Sequence, residues 1–301
     1  IAACEDKPYD YPYQWSYPNT WPPVCFYAVM GLGVYLSFRV LNLPDLTIDG
    51  SFTCGCAAAA VCTVAGHPYL GFVGAFLCGS LCGLTTGFLM TKLRIQPILA
   101  GILTMTALYS VNLRIQGGRP NISMFGMRTI FTDMQSLIGE DAASLVTILA
   151  VLVLLGLVLY LFLHTQLGLS LRATGSNEAM VRASSINADR MKLIGLALAN
   201  GIIACSGALL AQYQSFADVS SSTGKMVLGL ASIIVGEAFF GHRTILRGML
   251  SVVAGSLIYR FLLTFALQFG MSASDLNLFS ALLVALAISL PYIKKRRRAH
   301  A

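Results

Sequence analysis

The chain has 301 residues, of which 56% are hydrophobic and only 11% charged. Soluble domains carry about 25% charged residues, so this composition excludes an ordinary soluble enzyme or binding module and implies a polytopic membrane protein. The formal net charge of +7 does not call for a nucleic-acid partner, because the basic residues stand between apolar runs and in the tail Lys294, Lys295, Arg296, Arg297 and Arg298, where membrane orientation and anionic lipid account for them.

Residues 1–23 are rich in proline and tyrosine and lack the apolar stretch of a signal peptide. They read either as an extracytoplasmic flap or as a segment foreign to the rest. Apolar runs follow near 24–42, 52–66, 68–90, 97–113, 143–163, 193–212, 226–240, 248–270 and 278–293. A helix needs roughly 20 residues to cross the hydrocarbon, so 52–66 and 226–240 are short, as helices broken near a substrate path are. The expected fold is an all-α polytopic bundle of about 8–10 membrane helices. A membrane domain at 24–293 is followed by a basic tail at 294–301.

The first polar break is Leu43-Pro44-Asp45-Leu46-Thr47-Ile48-Asp49-Gly50-Ser51. Pro44 disfavours helix at Leu43, and Gly50 and Ser51 can open the next helix. Asp45 and Asp49 could cap that helix, pair with Arg39, or bind a solute amine or cation. Asp45, Thr47, Asp49, Gly50 and Ser51 are therefore candidate path residues.

In the third run, Gly79, Gly83 and Gly87 recur every fourth residue, with Ala75 extending the stripe. Such a stripe lets helix backbones approach closely. Seven of the eight cysteines lie in apolar runs and read as small packing groups, and the CxC of Cys54 and Cys56 is a weak metal signal. No metal site, cofactor or disulfide framework is expected.

The outer segment 114–142 holds a mixed stretch, Met124–Leu137, that suggests an interfacial helix. It is either a surface for an external protein or a lid over the span ends. The polar island His164–Lys192 carries Arg172, Arg182, Arg190 and Lys192 against Glu178 and Asp189. Placing the C-terminus inside puts fourteen lysines and arginines (Arg39, Lys92, Arg94, the four of the island, Arg243, Arg247 and five in the tail) on the cytoplasmic side, against Lys7, Arg114, Arg119, Arg128 and Lys225 outside. Nine spans then leave the N-terminus outside, and one re-entrant run would reverse it.

Within the island, Gly175-Ser176-Asn177 reads as a break, Ser176 or Asn177 as a cap, and Glu178 as an acid in the first turn of a short helix at 177–185. Asn200 lies mid-span in the small-residue run that follows, and Gly229 and Gly236 lie in the short run at 226–240. These three join the path candidates. Glu237 could snorkel or pair with His242 or Arg243, and Arg260, mid-span, calls for a buried carboxylate or carbonyl.

The phosphate loop GxxxxGK[ST], the zinc pair HExxH and the GxSxG elbow are all missing from the sequence. A membrane enzyme or a channel fits poorly on these grounds. A secondary transporter, with Asp45, Asp49 and Glu237 as proton carriers, is the main competing reading.

Two stretches, PDLTIDGSF at 44–52 and GLSLRATGSNEAMVRASSINADRMKLIGLALANGIIACSGALLAQ at 168–212, resemble permease subunits of bacterial ABC importers in the branched-chain amino acid and ribose permease superfamily. GGRPNIS at 117–123 is similar to a subgroup implicated in tryptophan or tyrosine uptake. The resemblance spans roughly 24–298 and omits 1–23. It implies a multi-pass protein of the bacterial inner membrane, importing a small solute by alternating access. The implied partners are a cytoplasmic ATPase, an extracytoplasmic lipoprotein that binds the solute, and a second permease copy. It further implies that Arg172, Ala173, Thr174, Gly175, Asn177, Glu178 and Ala179 meet the ATPase, and that ATP is hydrolysed on the other subunit.

Overall fold

A computed structural model describes residues 21–268, apart from 222, 242 and 243, together with 278, 282 and 285. The ninth apolar run, the basic tail and residues 1–20 lie outside the described residues. Among the described residues five helices are long and apolar enough to cross a membrane: α3 (Pro68–Thr91), α4 (Pro97–Ile115), most of α6 (Glu140–His164), α9 (Ala188–Gln214) and most of α11 (Ile245–Gln268). The protein is a multi-pass helical bundle, as its composition requires.

The bundle is built around α9. Of its apolar window 78% is buried, against 22% for α6 and 44% for α11, so α9 is the helix that the others surround. The sequence permits this because α9 is rich in alanine and glycine on all sides. A helix apolar all round is one that is enclosed.

α1 (Trp21–Val34) runs on into a π-helical turn, Tyr35–Val40, which Leu41 closes by donating its N–H to the Leu36 carbonyl at 3.1 Å. The helix then stops at Asn42, whose φ is +55°, just before Pro44. α2 (Ile48–Val64) and α10 (Lys225–Phe240) have 17 and 16 residues. At 1.5 Å per residue each is about 25 Å long, short of the roughly 30 Å of hydrocarbon.

At one end of the bundle α7 (Gln166–Ser176) and α8 (Glu178–Ala183) form the polar island. At the other end, β1 (Asn121–Ser123) pairs antiparallel with β2 (Phe216–Asp218), with Ile122 opposite Ala217. This clip ties the segment after α4 to the end of α9. The helix expected over Met124–Leu137 starts later, as α5 (Ile130–Ile138). Gly126 has a φ of +75°, and Thr129 caps α5 through reciprocal bonds with Thr132, so helix begins only after them. Met124 is instead a fully buried anchor.

Candidate functional site

The polar residues of the 43–51 break converge on α9. Asp45 places Oδ1 against the Thr47 N–H at 2.9 Å, a local turn that leads into α2. Its other oxygen, Oδ2, accepts from Asn200 Nδ2 at 2.7 Å. Asn200 Nδ2 also donates to the Leu196 carbonyl at 3.0 Å, and its Oδ1 accepts from Ser51 Oγ at 2.6 Å. The Thr47 and Thr86 hydroxyls lie 2.7 Å apart, which brings α3 into the cluster. Asp45, Thr47, Ser51, Thr86 and Asn200 are all buried.

This cluster joins residues far apart in the chain, and its members satisfy one another. In this conformation Asp45, Thr47, Ser51 and Asn200 present almost no surface to a solute. What they do is fix the broken start of α2 against α9 and α3. α2 opens at Ile48, ahead of the expected Gly50 and Ser51. The Asp45 turn on the Thr47 N–H leads straight into the helix, and Ser51, already in its first turns, bonds the Thr47 and Ile48 carbonyls as well as Asn200.

Asp49 is used differently. Its two oxygens accept from the backbone N–H groups of Gly224 at 3.1 Å and Met226 at 2.8 Å. A carboxylate there answers the unsatisfied amides and the positive dipole end of α10. The two short helices therefore meet at their N-termini. Arg39 pairs with Glu237 at 2.8 Å rather than with either aspartate, joining the π-helical turn to the far end of α10. His242 and Arg243, the partners expected for Glu237, lie outside the described residues.

The glycines mark close helix crossings. A Cβ on Gly79 would run into the Ala204 side chain and, at 2.5 Å, the Asn200 carbonyl oxygen; one on Gly83 would collide with the Leu196 carbonyl, and one on Gly87 would sit 2.9 Å from Leu193. α3 thus lies against the backbone of α9 along its whole glycine stripe. Thr86 sits on that stripe, a polar position that the sequence reading passed over. Gly50 faces Leu108 of α4, Gly229 faces Val34 of α1, and a Cβ on Gly236 would collide with the Ser251 carbonyl of α11.

In the polar island the caps follow local rules. Asn177 Oδ1 accepts from the Met180 N–H at 3.1 Å and starts α8, with Glu178 in its first turn. Gly175 differs from expectation: it is helical, the last turn of α7, and it faces the Val40 carbonyl so closely that a Cβ would collide with it. Arg172, Ala173 and Thr174 also belong to α7. Thr174 is buried, whereas Ala179 and Met180 are exposed, Met180 at 60%.

Four charges hold α8 to the start of α9. Arg182 pairs with Glu178 at 2.8 Å and with Asp189 at 2.5 Å, and Lys192 reaches Glu178 at 2.7 Å. The Lys192 ammonium, and then the Arg182 guanidinium, hold the Glu178 carboxyl below the usual glutamate range. Exposed pairs of this kind add little stability, so their effect is mainly to fix position.

The family model for the permease component of branched-chain amino acid transport systems matches residues 24–289. The chain is 38% identical over 258 residues to the tyrosine transport system permease protein of Clostridioides difficile, covering 85% of each chain. It is 32% identical over 268 residues to an uncharacterized protein of Rickettsia prowazekii, covering 88% of this chain and 92% of that one. It is also 26% identical over 246 residues to the ribose import permease protein RbsC of Escherichia coli, covering 79% and 72%. No solved structure matches the chain. The relatives whose names state a role are transport permease proteins, and the chain belongs to the branched-chain amino acid transport system permease family.

Proposed function

We propose that this chain is the membrane-spanning subunit of an ATP-driven importer in the bacterial inner membrane, working as a pair of permease copies. A lipoprotein delivers an amino acid to the outer face, and tyrosine is the first candidate because the 38% identical relative bears a tyrosine transport name. ATP binding and hydrolysis occur on a separate cytoplasmic subunit. The chain supplies the path and the lever.

The observation that carries this reading is the bracing of α8. A six-residue helix with a small exposed face, Ala179 and Met180, is tied to α9 through Glu178, Arg182, Asp189 and Lys192. A groove on a partner can take such a face. α7 lies behind it, with Gly175 against the end of α1. A push on α8 therefore reaches α9 directly and α1 through α7. Arg172, Ala173, Thr174, Gly175, Asn177, Glu178 and Ala179 form the ATPase-coupling element, with Thr174 and Gly175 acting from within it.

Eight residues beyond Lys192, Asn200 holds Asp45 and Ser51. In this account Asp45, Thr47, Ser51 and Asn200 carry the displacement of α9 to the broken start of α2. Asp49, Gly50, Gly229 and Gly236 set the crossings along which the path opens. An external energy source can shift such an equilibrium only by binding the two states unequally, which ATP-dependent docking provides.

The test is co-purification of a cytoplasmic ABC ATPase co-expressed with this chain. Wild type is expected to retain it, and Ala179→Trp with Met180→Asp to release it while the fold persists. Retention of the ATPase by that variant contradicts docking at α8.

A further inference from the structure

Three helices bring an aromatic ring and two cations together away from the cluster at Asn200. Lys225, the first residue of α10, donates from Nζ to the Tyr27 hydroxyl at 2.9 Å. Arg260 of α11 lies with Cζ 5.5 Å from the centroid of the same ring. Tyr27 comes from α1. Among the described residues neither cation has a carboxylate within ion-pair distance, and Arg260 Nε, itself buried, has no hydrogen-bond partner. The nearby Asp49 carboxylate already accepts from Gly224 and Met226.

The partner expected for Arg260 was a carbonyl or carboxylate, and the structure offers the face of Tyr27 instead. A cation–π contact offsets part of the cost of a charge in an apolar bundle but leaves the guanidinium donors open. The cavity beside them, lined by Tyr27, Ser232, Ser256 and Arg260 among others, has free volume of about 10 Å³. That is about enough for one water. Two like charges thus share one ring in a confined space, which favours an anion with two oxygens set to meet a planar fork and an ammonium. Arg260 turns toward Tyr27, while the adjacent Phe261 is 72% exposed, so the open donors lie on the inner side of α11 rather than its outward side.

We infer that Tyr27, Lys225 and Arg260 form a binding site for the carboxylate of the transported solute, engaged when α10 and α11 part. The inference rests on the amino-acid importer reading and adds the group that is recognised and the residues that recognise it.

The full chain in phosphatidylcholine nanodiscs tests this by thermal unfolding with three matched probes: L-tyrosine, 4-hydroxyphenylpropionate and tyramine. The two carboxylates are expected to raise the midpoint by about 2–4 °C at saturating concentration and tyramine to leave it unchanged. Lys225→Gln with Arg260→Gln should abolish the response. Lys225→Arg with Arg260→Lys should keep part of it, which separates lost recognition from lost folding. An equal response to tyramine, no response to any probe, an undiminished response in the glutamine variant, or stabilisation by phosphatidylglycerol in place of the carboxylates overturns the site. Failure of ATP-dependent uptake by the assembled complex, with the carboxylate response intact, counts instead against the importer reading.

Discussion

Asn200 of α9 donates to the Asp45 carboxylate at 2.7 Å across 155 positions of chain, and the same amide accepts from Ser51 at 2.6 Å. One side chain thereby fixes both the loop that precedes α2 and the first turns of α2.

The contributions of these bonds should rank by charge. Asn200→Leu takes one of the two donors from the Asp45 carboxylate and should cost about 1.5–3 kcal/mol. Ser51→Ala removes one neutral donor and should cost about 0.5–1.5 kcal/mol. Denaturant melts in detergent give the order, and equal costs for the two substitutions contradict the assignment.

The glycine stripe of α3 gives an internal comparison. Gly83→Ala drives a methyl into the Leu196 carbonyl of α9 and should cost about 1–3 kcal/mol. Gly74→Ala, on the same helix with nothing within 4 Å, should be neutral or slightly stabilising. Melts of the two variants side by side decide it, and a neutral Gly83→Ala would mean that α3 and α9 are not so close.

The brace on α8 has a definite pH signature. The Glu178 carboxyl is held low in the folded state, by Lys192 first and Arg182 second. Its contribution is therefore full above the ordinary glutamate value of about 4.3 and is lost only as pH falls through the lower folded value. A carbon-13 titration of the Glu178 carboxyl should give a midpoint below the ordinary value, moving upward in Lys192→Gln. A midpoint at or above the ordinary value contradicts the brace.

Much of this was legible in the sequence wherever the cause is local. Apolar runs announced the helices, because hydrocarbon length sets their size. Asn177 and Glu178 announced the start of α8, because capping needs only neighbours. The stripe of Gly79, Gly83 and Gly87 announced a close crossing without naming α9 as its partner.

What escaped depends on contacts far along the chain. Asp49 read as a cap for its own helix, a partner of Arg39 or a ligand for a solute, and it serves α10, whose amides are 175 and 177 positions away. Glu237 read as a residue that could snorkel or pair with His242 or Arg243, which lie outside the described residues; its pairing with Arg39, 198 positions away, had no local signal. Gly175-Ser176-Asn177 read as a break, yet helix continues through Ser176 and breaks only at Asn177, and Gly175 is there because its missing side chain admits the Val40 carbonyl. Thr86 was passed over because a threonine amid small residues looks like one more packing group until Thr47 is brought beside it.

The central claim is that an external ATPase drives transport through α8 and α9. The direct measurement is tyrosine uptake into proteoliposomes holding the permease, its ATPase and its binding lipoprotein, with ATP supplied to the ATPase side. The account predicts uptake that requires ATP, survives an ionophore, and falls at least tenfold in Glu178→Arg with Asp189→Arg while ATP hydrolysis by the isolated ATPase is unchanged. Uptake that proceeds without ATP and collapses with the ionophore alone would contradict it.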